Sequence, residues 1–231
     1  MESTRLHEIS KLIKPGCPIA DIGSDHARLP ICLVEKEMVP WAIASELGDG
    51  PYTRMERTAA ARSFGERIVL RQGDGLEVLL PAEVEGVIIA GMGGDLISSI
   101  LSCDWDKSES FSYYILQPMS KPEVLRKVLA ARGWPIDKEI LITERGQYHV
   151  IVQTRPGWES YQLTDLEQDM GPLILKGDHP LKTGYLNYFL NKYIKVLENL
   201  GRSDRIQARE LRTSMTLKIR ELEAIINAGQ G

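Results

Sequence analysis

Cysteine is scarce in this sequence: Cys17, Cys32 and Cys103 are the only three, and no two of them stand in a CxxC or CxxH spacing. An odd number without such pairs argues against a disulfide framework and a zinc site, and it fits a reducing cytoplasm. Long apolar runs are missing too. No stretch approaches the roughly 20 residues that a membrane helix needs, and Met1 to Glu8 is too polar to read as a signal peptide. No repeat or low-complexity segment interrupts the chain. The GxGxxG fingerprint that accommodates a pyrophosphate is also absent.

What is present describes an ordinary soluble globular protein, with 43% hydrophobic and 26% charged residues. A chain of 231 residues is long enough for one sizeable core and an appendage. The net charge of −4 hides a division, because His179 to Gly231 carries nine Lys and Arg against five Asp and Glu. An acidic body with a basic tail points to a polyanionic partner or to a solvated helical face.

Leu6, Ile9, Leu12 and Ile13 space a helix over Arg5 to Ile13 that ends before Pro15-Gly16. Ile19 to Ile22 reads as a short buried strand that runs into a turn and then a helix, Leu29 to Met38, with Pro30 in its first turn. Trp41 to Ser45 is a second strand, ending at Glu46, and a helix from Gly50-Pro51 covers Tyr52 to Phe64. Ile68 to Leu70, Gly86 to Ala90 and Ser112 to Leu116 give three more strands, with helices at Leu96 to Leu101 and Glu123 to Ala131. Glu139 to Glu144 and Tyr148 to Val152, parted by Arg145-Gly146-Gln147, form a β-hairpin. The expectation is an α/β, doubly wound, Rossmann-like domain whose sheet closes with an antiparallel hairpin.

Chemistry concentrates where these strands end. Gly23 lets the backbone bend and approach a ligand with no Cβ in the way. Asp21 and Asp25 load the same turn with carboxylates, which repel a pyrophosphate and suit a cationic, amino-bearing or hydroxyl-bearing ligand. Glu46, about 20 positions past the glycine turn, stands where an acidic residue accepts hydrogen bonds from ribose hydroxyls. Asp74-Gly75 after the third strand and Gly91-Met92-Gly93-Gly94-Asp95 after the fourth continue the pattern, the second implying that something large lies against bare backbone.

Arg155 to Pro180 is broken by six Pro and Gly residues and holds one short helix, around Asp165 to Met170. Two long patterns follow. Leu186, Phe189, Tyr193, Leu197 and Leu200, then Leu211, Met215, Leu222 and Ile226, recur at threes and fours around Gly201. They predict an antiparallel helical hairpin of coiled-coil type.

Together these motifs resemble class I S-adenosylmethionine-dependent methyltransferases, and more narrowly the bacterial tRNA (adenine-22-N1)-methyltransferase family. The likeness is carried by Asp21-Ile22-Gly23-Ser24-Asp25-His26-Ala27-x-Leu29-Pro30, Glu46-x-x-Asp49-Gly50-Pro51, Gly73-Asp74-Gly75-Leu76, Ala90-Gly91-Met92-Gly93-Gly94 and Gln117-Pro118. It covers nearly the whole chain. Asp25 and Ala27 replace glycines of the wider superfamily but agree with this family, and Met119 stands where some members carry an amide side chain.

The resemblance implies that S-adenosylmethionine donates a methyl group to N1 of adenosine 22 in the D-arm region of tRNA. Asp21, Gly23 and Asp25 would face the methionine part of the cofactor, Glu46 its ribose, and Asp74 with Gly75 its adenine. Gly91, Met92 and Gly93 would form the rim between sulfonium and target base. Asp95 or His26 would stabilise the cationic product, with Met92 completing the catalytic set and no metal required. Residues 1–155 would form the catalytic domain. Residues 156–231 would hold tRNA through Lys192, Lys195, Arg202, Arg205, Arg209 and Arg212, in a cytoplasmic monomer. A nicotinamide-dependent oxidoreductase, a non-catalytic RNA-binding module and a dimerising coiled coil remain as alternatives.

Overall fold

A computed structural model describes residues 4–61, 65–200 and 206–228. They fall into two compact units, Met1–Gln162 and Leu163–Gly231. The first is built on a seven-stranded sheet in the order β3-β2-β1-β4-β5-β7-β6. Its strands are β1 (Ile19–Ile22), β2 (Ala42–Glu46), β3 (Ile68–Gln72), β4 (Gly86–Gly93), β5 (Tyr113–Ser120), β6 (Ile136–Glu144) and β7 (Gln147–Thr154). Strands β1 to β5 pair in parallel, and β7 runs antiparallel to both β5 and β6.

Strand β1 sits at the point where the strand order reverses, between β2 and β4. Its register sets Ile22 beside Ser45 on one side and Ile89 on the other, so β1 and β2 end within one residue of each other while β4 runs on past them to Gly93. In such sheets the crevice beyond the reversal is where ligands bind.

The sequence explains why the sheet is covered. Helices α1 (Thr4–Leu12) and α2 (Arg28–Glu35) bury Ile9, Leu12, Leu29 and Leu33 in one cluster with Ile88, Ile115 and Ile151. Helix α3 (Asp49–Ala60) adds Met55, packed with Ile31 and Ala44. Helices α4 (Gly94–Cys103) and α6 (Pro122–Arg132) pack together and bury Ile97, Leu101, Leu125 and Leu129, with the single-turn α5 (Trp105–Ser108) beside them. Burying a side chain of this size is worth about 1.5–3 kcal/mol, so this apolar lattice fixes the positions of the strand ends.

Several boundaries differ from the expectation. Helix α3 begins at Asp49, because the extended backbone of Gly48 caps it and Pro51 is tolerated in a first turn. Strands β4 and β5 run on through Gly91-Met92-Gly93 and Gln117-Pro118, where β4–β5 pairing continues past two irregularities. The β6–β7 turn is only Arg145-Gly146, both at positive φ (52° and 76°), and Gln147 pairs with Glu144. That is the two-residue hairpin geometry whose twist matches its strands. The first unit extends past Arg155 to Gln162: Tyr161 donates its amide to Ala130 and its hydroxyl to Trp134, tying the segment to the end of α6.

The second unit contains α7 (Asp165–Met170), α8 (Pro172–Lys176), α9 (Lys182–Leu200) and α10 (Ile206–Ala228). Thr164 and Glu167 cap α7 reciprocally. Helix α8 departs from the expectation for a Pro- and Gly-broken stretch; Pro172 starts it, where a missing N–H costs nothing. Helices α9 and α10 pack against each other, with Tyr185, Leu186, Phe189 and Tyr193 buried on one and Met215 and Leu222 on the other. Leu211, expected in the apolar seam, is instead 41% exposed. Gly201, expected as the turn between them, lies outside the described residues.

Candidate functional site

The turn after β1 is held by its neighbour. Gly23 (φ +73°) and Ser24 both donate their amides to Ser45 O, each at 3.0 Å. Glu46, at the end of β2, reaches back and accepts the Asp25 amide on Oε1 at 2.5 Å. Asp25 (φ +52°) and Ala27 (φ +49°) both adopt the left-handed conformation, which costs an L-residue energy and is held by these bonds. Gly73 ties β3 into the same edge by donating to Glu46 O at 3.0 Å.

Asp21 is the buried acid of the group. It is 7% exposed and accepts the Ser24 hydroxyl on Oδ2 at 2.5 Å. Burial pushes its carboxyl up to about 7; the nearby Glu46 charge adds to the rise, while the Ser24 hydrogen bond and the Arg5 charge oppose it. Asp25 behaves differently. Its carboxylate is turned to Arg54, at 2.8 Å, and to His26 Nε2, at 3.5 Å. Its contribution at the turn is thus its backbone N–H to Glu46.

Asp74 caps a short 3₁₀ turn, Gly75–Val78, and accepts the Glu77 amide on its carbonyl. Gly75 (φ +49°) has Ile100 about 3.1 Å from the place a Cβ would take, so a larger residue would be crowded as well as strained. Gln72 binds Asp49 Oδ1 at 2.7 Å, which sets the start of α3 against the end of β3.

The β4 side of the crevice is bare backbone overlaid by a thioether. A Cβ on Gly23 would collide with Met92 Cε, so the first turn and the β4 rim are in contact across the reversal point. Gly91 (φ +85°) donates its amide to Gln117 Oε1 at 3.1 Å. Asp95 lies in the first turn of α4 and is paired with Lys121 at 2.6 Å. The Asp95 hydrogen bond raises the Lys121 pKa.

The structure therefore brings Asp21, Gly23, Glu46, Gly91 and Met92 to one crevice, with Asp74 and Gly75 on the adjoining strand end. It gives Asp25, His26 and Asp95 partners of their own. Residues that sequence reasoning missed are Arg5, Ser24, Arg54 and Lys121. Gln117 stands in one of the motifs, which by itself gives it no role. Ser24 lies within the first motif and is signalled by its place three residues after Asp21; the cations carry no such signal, since Arg5 meets Gln117 across 112 positions.

In the second unit, Lys192, Lys195 and Arg209 are exposed and Arg212 is half-buried. Arg209, Arg212 and Arg220 line one shallow groove along α10 with Thr213, Thr216 and Leu217. Arg202 and Arg205 lie outside the described residues. Lys218 is not an open cation: it binds Asp169 at 2.7 Å, beside the Tyr193 hydroxyl on the same carboxylate. No group of three or more His, Cys, Asp or Glu able to hold a metal occurs among the described residues.

Comparison with known proteins identifies the family. A methyltransferase-domain family model matches residues 2–152. The tRNA (adenine(22)-N(1))-methyltransferase of Bacillus subtilis is 33% identical over 201 residues, 85% of this chain and 82% of that protein. A Streptococcus pneumoniae structure in complex with S-adenosyl-L-methionine superposes with a TM-score of 0.85 at 30% identity, covering 98% of this chain and 100% of the other. The M. capricolum TrmK structure with S-adenosyl-homocysteine gives 0.83 at 27% identity, covering 98% and 99%. With acidic strand ends, a bare-backbone turn at the reversal point and this similarity along its length, the chain belongs to the bacterial tRNA (adenine-22-N1)-methyltransferase family.

Proposed function

We propose that this protein transfers a methyl group from S-adenosylmethionine to N1 of adenosine 22 in tRNA. The observation that carries the reading is the pairing of carboxylates on β1 and β2 with a glycine turn at positive φ, where a Cβ would displace the Met92 methyl. A zwitterionic, diol-bearing cofactor fits that chemistry, and a pyrophosphate does not. The oxidoreductase alternative fails at Asp25, which occupies the turn where a dinucleotide's close approach needs glycine.

When bound, S-adenosylmethionine supplies a methyl group on a sulfonium, which the adenine N1 lone pair accepts without a general base, leaving the base cationic. Asp21 would take the cofactor's ammonium and Glu46 its ribose diol. Among the described residues, Glu46 Oε2 makes no hydrogen bond, so the oxygen opposite the Asp25 contact is open to a hydroxyl. Asp74 and Gly75 would flank the adenine, and Gly91, Met92 and Gly93 would lie between donor and acceptor. Asp95 and His26 act within their pairs with Lys121 and Asp25, which tempers either as a lone charge stabiliser of the product. N1 lies on the pairing edge, so a paired target base must be opened first.

The α9–α10 hairpin, of coiled-coil type, would hold tRNA through Lys192, Lys195, Arg209 and Arg212. The acidic first unit would otherwise repel a polyanion. Mass spectrometry of an unmodified tRNA transcript incubated with protein and methyl donor tests the activity: one methyl group on N1 of A22 is expected, and an unmodified transcript refutes it. Neutralising those four cations should flatten the salt dependence of tRNA binding, by about 0.7–0.9 in slope for each phosphate that is no longer neutralised. An unchanged slope assigns the RNA handle elsewhere.

A further inference from the structure

We propose that Met119 is the ledge on which the acceptor adenine rests, and that Arg5 is the positioning residue that holds it. The proposal rests on the tRNA-methylating function and concerns the half of the crevice away from the carboxylates. Strands β4 and β5 pair as Ala90 with Gln117, Met92 with Pro118 and Gly93 with Ser120. Each strand thus carries one extra residue at this edge, Gly91 on β4 and Met119 on β5. Bulges of this kind re-aim side chains and gather beside active sites. The two here are one register step apart, next to the Met92 that overlies the Gly23 turn.

Met119 is 46% exposed, yet its sulfur is fixed by two donors, Arg5 Nη1 at 3.3 Å and Gln117 Nε2 at 3.5 Å. An exposed methionine normally samples its three side-chain torsions freely; here its sulfur is held. The same Arg5 Nη1 donates to Gln117 Oε1 at 3.0 Å, the oxygen that also accepts the Gly91 amide. One guanidinium from α1 therefore sets both bulges, the Gly91 rim through Gln117 and Met119 directly. The segments Gly91 to Gly94 and Gln117 to Ser120 contain no aromatic residue. Flipped bases are commonly stacked on aromatic rings, and here a polarizable thioether is the flat-ligand contact available.

The experiment uses the full chain with ¹³C-methyl methionine, S-adenosylhomocysteine and an unmodified tRNA transcript, and assigns the Met119 methyl signal by Met119→Leu. Adding transcript should move that signal by the ring current of a stacked base. In turnover, Met119→Ala should lower kcat/KM for tRNA roughly three- to tenfold, the range of a sulfur–ring contact. Donor affinity should stay within twofold, and Met119→Phe should restore the rate by supplying a ring. Arg5→Ala should lower kcat at saturating tRNA, and combining it with Met119→Ala should cost less than the product of the two effects. No ring-current shift, a Met119→Ala rate within twofold of the parent, or no rescue by Phe overturns the ledge. The parent's own methylation of the transcript is scored in the same assay, so failure of the function shows there. The ring-current reading needs no turnover and decides the ledge independently.

Discussion

At the β1–β2 side of the crevice, carboxylates are held by short bonds to backbone and hydroxyl groups; at the β4–β5 side, two bulges present glycine backbone and two thioethers. The first side is charged, rigid and local, since Asp21 meets Ser24 three positions away and Glu46 meets Asp25 across 21. The second has no carboxylate among these contacts and is assembled from afar, by an arginine on the first helix. The difference fits the roles proposed for the two sides. A cofactor with an ammonium and a diol is gripped by charge-assisted hydrogen bonds, whereas a base that becomes cationic during transfer needs a surface that orients it and moves away easily.

The largest effect should come from the charge on the first side. With its carboxyl raised to about 7, chiefly by burial, Asp21 favours the protonated form in the folded chain. That contribution is fully present below the ordinary carboxylate range and is lost as pH rises through about 7. Asp21→Asn cannot ionise, so at pH 8 the cofactor-free variant should be more stable than the parent by up to about 4 kcal/mol. The gap should close towards pH 4, as read by urea titration, while donor affinity falls. A gap that does not change with pH would show that Asp21 is not the strained charge.

Gly23→Ala joins the two sides in one test, because its methyl meets Met92 on the far rim at a φ of +73°. A cost of about 3 kcal/mol in stability and loss of donor binding are expected. Adding Met92→Ala should relieve the collision and leave the backbone strain, so partial recovery in calorimetry is the informative result. Full recovery would mean that the turn itself is unstrained.

Glu46→Ala should weaken donor binding by about 2 kcal/mol, within the range for hydrogen bonds to a charged acceptor. It also removes the brace on Asp25, so thermal stability should drop as well. Calorimetry that finds donor affinity unchanged in a folded variant removes Glu46 from the site. The smallest effect should be that of Arg54→Ala. Its pair with Asp25 is about half-exposed, and such pairs contribute less than 1 kcal/mol. A tenfold loss of donor affinity there would reveal that the acidic side depends on Arg54 to keep Asp25 out of the crevice.

The strands and their ends were legible because both signals are local. Ile19 to Ile22 is bounded by Pro18 and Gly23, and the structure shows β1 over those residues. The carboxylates and glycines were readable as strand-end chemistry for the same reason: residue type and position along one segment suffice. Helix α8 was hidden because Pro172 and Gly177 mark its two ends, and the same residues punctuate loops. The seam of the helical pair is narrower than its sequence pattern at Leu211, since a spacing of threes and fours identifies a face but not how much of it a neighbour covers.

The sequence alone determined which turn would be acidic, which would be bare backbone, and that both would close a parallel sheet, because strand periodicity and turn chemistry act over a few residues. Only the tertiary structure decided that Met92 lies over Gly23, that Asp25 turns to Arg54, and that Arg5 reaches Gln117 and Met119. Those contacts span 29 to 114 positions where a bond is formed, and no periodicity links residues so far apart. They exist because packing α1 and α3 against the sheet, each through its own apolar cluster, brings polar side chains to the same edge, where each must find a partner or remain costly.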